Sequence, residues 1–316
     1  MNNGKNMKNG MRGSIADLIT PFNEKGAVDC ERLRRLIKRQ INEGSDGILV
    51  LGETGEEETL TEQEREEAVR IAVEESNGSI CVIAGIGSDT GEPALERSRR
   101  YEKIGADGLL AAVPSYIKNN SSEMLKYFYG IADNVNIPVC IHNSSQETGL
   151  CLDTETAAKL SQHPNIVGIK EDGGSLSYVA GLTALITDDF NIYSGSDDIT
   201  AALMSMGAAG TISIWANLMP AKAHEMAWAY MSGDTEKGRK IQLKYLKLIN
   251  ALFCGRNPVP VKEIMNMAGL KAGGCRIKTK GLSSAERRVL GVLYEEYRED
   301  IEGIDPGEKQ NKGCPM

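Results

Sequence analysis

The sequence predicts an α/β protein: a (β/α)8 TIM barrel with a C-terminal helical extension. Three observations carry that expectation. Short apolar runs recur along the chain at intervals of mostly about thirty residues, one βα unit each. Segments with helical spacing lie between them, so the strands are covered on both faces and pair in parallel. Eight such units in about 200 residues fit a closed barrel. A doubly wound open sheet is the runner-up, but no strand is followed by a GxGxxG dinucleotide loop.

Taken in order, residues 1–12 read as a flexible tail, 13–225 as the barrel, 226–300 as a C-terminal helical region and 301–316 as a second flexible tail. The expected strands are Ile15 to Ile19, Gly47 to Leu51, Ile80 to Ala84, Gly108 to Val113, Pro138 to Ile141, Ile166 to Ile169, a weaker Asn191 to Tyr193, and Gly210 to Ile214. Between them, Leu33, Leu36, Ile37 and Ile41 stand at helical spacing. Thr61-Glu62-Gln63-Glu64 has the spacing of a capping box, and Asp153 to Leu160 is a further helix. After Ala216 the texture becomes helical: Ala221 to Ser232, Thr235 to Phe253, Val261 to Ala268 and Ser284 to Arg298.

Composition narrows the function. The chain has 316 residues and a net charge of −8, an acidic balance that argues against a nucleic-acid or anionic-membrane partner. No apolar run reaches transmembrane length, and the first ten residues lack the apolar core of a signal peptide. The seven cysteines have no CxxC spacing, as expected of reduced thiols in a cytoplasmic protein. The three histidines, His142, His163 and His224, are too dispersed for a zinc site, so no metal is expected.

The candidate chemistry lies where strands end. Ile166 to Ile169 is an apolar strand, and Lys170 follows it. Desolvation lowers a lysine's pKa, and a neutral amine forms an imine with a carbonyl. The bland alternative is that Lys170 marks the strand's exit from the core and snorkels to solvent. After the second strand, Gly52-Glu53-Thr54-Gly55 offers backbone N–H groups and a hydroxyl that can hold a carboxylate. Tyr116 follows the fourth strand as a hydrogen-bonding or proton-relay candidate. His142 follows the fifth as an acid/base candidate. Gly195 follows the seventh and allows close backbone approach to a ligand.

Together these residues resemble the dihydrodipicolinate synthase / N-acetylneuraminate lyase family of class I aldolases. The matches run in order: Leu18-Ile19-Thr20-Pro21-Phe22, Gly52-x-Thr54-Gly55-Glu56, Pro114-x-Tyr116, Asn143 with Thr148-Gly149, Gly168-Ile169-Lys170, Ser194-Gly195-x-Asp197, Gly210-x-Ile212-Ser213 and Asn257-Pro258-x-Pro260-Val261-Lys262. The resemblance implies that Lys170 forms a Schiff base with pyruvate or a related 2-oxo acid. Gly52, Thr54 and Gly55 would hold that acid's carboxylate, and the Ile212 backbone would lie near the imine. Tyr116 would reach toward a neighbouring protomer of a homotetramer, a dimer of dimers. No metal and no organic cofactor would be needed.

This sequence also departs from the family. The family's tyrosine after the fifth strand is His142, the first threonine of its GTTGE is Glu53, and its arginine for an aldehyde's carboxylate is Glu147. Glu147 would repel an anionic semialdehyde. Glu53 and His142 fall at positions that touch in the family, so they are expected to form a His–Glu dyad in place of its Tyr–Thr relay. The expected function is a Schiff-base-forming lyase or aldolase. The alternatives are dihydrodipicolinate synthase itself and a non-catalytic 2-oxo-acid-binding paralogue. A pyridoxal-phosphate barrel comes last, because no glycine-rich phosphate cradle follows the seventh and eighth strands.

Overall fold

The computed structural model describes residues 11–87, 91–114, 117, 120–144 and 152–302. Eight parallel strands close into a barrel in sequence order: β1 (Gly13–Asp17), β2 (Gly47–Val50), β3 (Cys81–Gly85), β4 (Gly108–Ala112), β5 (Val139–Asn143), β6 (Ile166–Glu171), β7 (Asn191–Ser194) and β8 (Gly210–Ser213). Closure comes from β1 on β8, with Gly13 opposite Gly210 and Ile15 opposite Ile212. The helices following the strands are α1 (Cys30–Asn42), α2 (Glu62–Ser76), α3 (Gly91–Ile104), α4 (Ser121–Ala132), α5 (Thr154–Leu160), α6 (Leu176–Thr183), α7 (Thr200–Ser205) and α8 (Pro220–Met231). Three more complete the chain: α9 (Thr235–Ala251), α10 (Val259–Met267) and α11 (Ser284–Glu302).

Local chemistry explains the helix starts. Thr61 and Glu64 form the expected capping box, satisfying two backbone N–H groups that a helix end leaves open. Asp29 caps α1 and Asp153 caps α5 through their carboxylates. Along α1, Leu33, Leu36, Ile37 and Gln40 are buried, the helical stripe that turns toward the sheet.

Three boundaries differ from the expected ones. Met11 is buried, and its carbonyl accepts from the Tyr193 hydroxyl at 2.7 Å, so the packed chain starts before residue 13. Helix α8 runs through position 225 and packs on β1. Helix α11 continues to Glu302 because Ile301 still buries its side chain.

The barrel interior is an apolar plug that includes Ile15, Leu49, Ile83, Leu110, Cys140, Val167 and Ile212. A strand's period of two then carries Ile15 to Asp17 and Cys140 to His142 on the same face, one layer higher. Lys170 breaks this rhythm, lying three residues beyond the inward Val167. The β5–β6 register shows why: Val139 faces Ile166, but the next residue, Cys140, faces Gly168. One extra residue sits in β6, and such a bulge re-aims the side chains after it. Strand β6 also continues through Lys170 to Glu171, rather than ending at Ile169.

Candidate active site

Lys170 does not snorkel: it is 4% exposed. Its Nζ lies 3.2 Å from His142 Nε2, 3.5 Å from Asp172 Oδ1 and 3.6 Å from Asp17 Oδ2. The strands place these groups. His142 on β5 stands in register with Lys170 on β6. Asp172 follows two residues later, where its N–H bonds the Asn143 carbonyl. Asp17 ends β1 across the barrel mouth.

His142 has a carboxylate partner, but it is Asp172 and not Glu53. Nε2 and Asp172 Oδ2 are 2.6 Å apart. Burial pushes the Asp172 carboxyl up, but the His142 and Lys170 charges and the His142 hydrogen bond hold it well below the usual carboxylate range. An ionised carboxylate only accepts, so Nε2 carries the proton and donates it to Asp172. The same nitrogen then has no lone pair for Lys170, whose 3.2 Å contact is proximity. Glu53 lies on the loop after β2, exposed on the wall of a cavity of about 490 Å³ that His142 also lines. Gly52, Ser144, Arg256 and Asn257 line it too. The neighbouring strands β5 and β6 bring His142 and Asp172 within hydrogen-bond distance.

Two glycines also make room within the site. A Cβ on Gly52 would lie 2.2 Å from Asp17 Oδ1, and one on Gly195 would lie 1.8 Å from Asp172 Oδ1. Each glycine makes room for one of the two carboxylates flanking Lys170. Neither Oδ1 has a hydrogen-bond partner. Burial raises the Asp17 carboxyl, outweighing the Lys170 and His142 charges and the nearby Thr54 hydroxyl.

Thr54 and Gly55 are buried in the loop after β2. That loop is turned by two non-glycine residues with left-handed backbones, Leu51 at φ 61° and Glu56 at φ 54°, each costing of order 1 kcal/mol. The C-terminal region holds it in place. Asn257 Nδ2 donates to Thr54 Oγ1 at 3.0 Å. Lys262 donates to Glu56 at 2.6 Å, to the Thr20 carbonyl at 2.7 Å and to the Gly274 carbonyl at 2.9 Å. Ile212 sits in the apolar layer beneath the polar cluster, in register with Ile15. Tyr116 and Glu147 lie outside the described residues.

Asp17 and Asp172 were missed as site residues, yet both left a signal. Asp17 is a carboxylate inside an otherwise apolar strand, and Asp172 shares the strand parity of Lys170. Among the described residues, no group of three or more His, Cys, Asp or Glu is placed to hold a metal ion. No described helix is long and apolar enough to cross a membrane.

A buried amine flanked by an imidazole and carboxylates is the arrangement of a lyase of the class I aldolase type, whose lysine meets a carbonyl. Comparison with known proteins sharpens the class. The model of the Dihydrodipicolinate synthetase family matches residues 10–295. A 4-hydroxy-tetrahydrodipicolinate synthase of Thermoanaerobacter sp. (strain X514) is 41% identical over 287 residues, covering 90% of this chain and 96% of the relative. The crystal structure of dihydrodipicolinate synthase from Aquifex aeolicus superposes with a TM-score of 0.88 at 34% identity, covering 93% of this chain and 100% of that one. A structure described as the first monomeric dihydrodipicolinate synthase variant superposes with a TM-score of 0.88 at 32% identity, covering 93% of this chain and 99% of that one. The chain belongs to the dihydrodipicolinate synthetase family.

Proposed function

We propose that Lys170 forms an imine with pyruvate or a related 2-oxo acid, and that the protein makes or breaks a bond next to that carbonyl. The observation that carries this reading is the shielded Lys170 beside the His142–Asp172 pair. The amine attacks the carbonyl carbon, and the resulting carbinolamine loses its hydroxyl as water. His142 takes up the proton that the attacking amine loses and returns it to that leaving hydroxyl, while Asp172 orients the imidazole and stabilises the imidazolium in between. The imine then serves as an electron sink, so the adjacent bond can form or break through an enamine. The reaction calls for no metal and no organic cofactor.

The names of the curated relatives favour a second reading, 4-hydroxy-tetrahydrodipicolinate synthase itself. Against it stand His142, Glu53 and Glu147 where the family has tyrosine, threonine and arginine. The acceptor side then suits a neutral polyhydroxylated or cationic group better than an anionic semialdehyde. The protein acts in the cytoplasm as a homotetramer, with no nucleic-acid or membrane partner. Borohydride trapping with pyruvate, read by intact mass and peptide mapping, tests the imine. An adduct on Lys170 that is absent from Lys170→Ala is the expected result; no adduct with pyruvate or several other 2-oxo acids would sink the reading. Turnover with semialdehydes against 2-oxo sugar acids then separates the two substrate readings.

A further inference from the structure

The two carboxylates beside Lys170 are not equivalent. Asp172 has His142 at 2.6 Å and is held ionised. Asp17 has only Lys170, at 3.6 Å, as an ion-pair partner. It is buried, and no hydrogen bond reaches its Oδ1. That oxygen faces Gly52, on the loop that also carries Thr54.

In the 2-oxo acid reading this is also the loop that receives the substrate's carboxylate. A 2-oxo acid on Lys170 carries its carboxylate on the imine carbon itself, one bond from the reacting centre. A carboxylate held at that loop therefore shares the space beside Asp17, whose Oδ1 would lie 2.2 Å from a Cβ on Gly52. Two carboxylates sharing such a space do not both stay charged. Asp172 is locked to His142, so Asp17 is the group free to yield. The charged or titratable groups facing Asp17 are Lys170 from β6, His142 from β5 and Asp172 from the turn after β6.

We propose that Asp17 takes up a proton from solvent when the 2-oxo acid binds, and as a neutral acid donates a hydrogen bond to the substrate's carboxylate. The inference rests on the 2-oxo acid reading above. The balance is simple: one proton joins the Asp17 carboxylate, and imine formation separately releases one water. A protonated carboxyl gains an O–H donor that its ionised form lacks. The raised pKa of the buried Asp17 makes that uptake easier. Binding is then linked to pH, falling as pH rises.

The test is calorimetric titration of the full-length protein with pyruvate, in two buffers of different ionisation enthalpy, with borohydride trapping at each pH. The unmodified protein should take up about one proton per site more than Asp17→Asn. On the alkaline side its pyruvate affinity should fall about tenfold per pH unit relative to that variant. A second comparison needs no variant: pyruvate should bring in about one proton more than hydroxyacetone, a ketone without the carboxylate. Equal proton counts and parallel pH profiles, in protein that does form the adduct, would overturn the role of Asp17. Absence of any adduct in the unmodified protein would instead retire the 2-oxo acid reading, and this proposal with it.

Discussion

Two lysines are buried among the described residues, and they are buried differently. Lys262 donates to three oxygens at 2.6 to 2.9 Å, and its carboxylate partner Glu56 accepts two backbone N–H groups as well, from Arg276 and Ile277. Burial lowers the Lys262 pKa and Glu56 opposes that, but neither side chain leaves a buried polar atom without a hydrogen bond. Lys170 sits among partners at 3.2 to 3.6 Å, and both flanking carboxylates keep an oxygen without a hydrogen bond. Burial alone therefore does not mark a nucleophile. The difference lies beside Lys170, where Asp17 and Asp172 each keep one buried oxygen without a hydrogen bond.

The largest contrast should come from removing each lysine. Lys170→Ala should lose all reducible adduct in intact-mass assays while remaining folded by circular dichroism. Lys262→Met leaves Glu56 buried without its cation, which costs about 3–5 kcal/mol in urea denaturation. Where that variant remains folded, it should still form the adduct on Lys170. A folded Lys262→Met without adduct would erase the distinction between the two sites.

Next in size is the pair beside Lys170. His142→Phe and Asp172→Asn should each slow adduct formation by about 10²–10⁴-fold, measured by quenched-flow trapping, and still reach the same adduct mass. Glu171 gives a smaller effect on stability. Burial raises its carboxyl to about 7, despite hydrogen bonds from Asn143 and the Gly173 N–H. The folded protein then binds that proton more tightly than the unfolded chain. The resulting stability is complete below the usual glutamate pKa and is lost as pH rises through about 7. Glu171→Gln should flatten that loss, about 3 kcal/mol at most, in denaturant titrations between pH 5 and 8. Glu53→Thr should have the smallest effect, a few-fold at most in trapping rate, because His142 already has Asp172. A loss as large as that of His142→Phe would put Glu53 back in the proton relay.

The barrel was legible because apolar runs and helix caps are local signals. Lys170 was legible because a lysine after an apolar strand is conspicuous. The partner of His142 was not: Asp172 lies thirty residues further on, and the pairing of β5 with β6 brings the two together. Asp17 was hidden inside a run read as apolar. Lys262 and Asn257 were visible as a motif, but their role could not be read. They brace a loop some two hundred residues earlier, a relation of space that no window of sequence contains.

The extra residue in β6 has a consequence for how such a site can be lost. Lys170 points into the barrel only because the strand counts one residue more than β5 between Val167 and the lysine. A strand of the same length that ran without the bulge would keep Lys170, its aspartates and its histidine all in the sequence. It would nonetheless turn the amine outward into the helical layer. The facing of the nucleophile is thus a matter of odd and even, and a homologue with an intact inventory could still be inert by a single miscount.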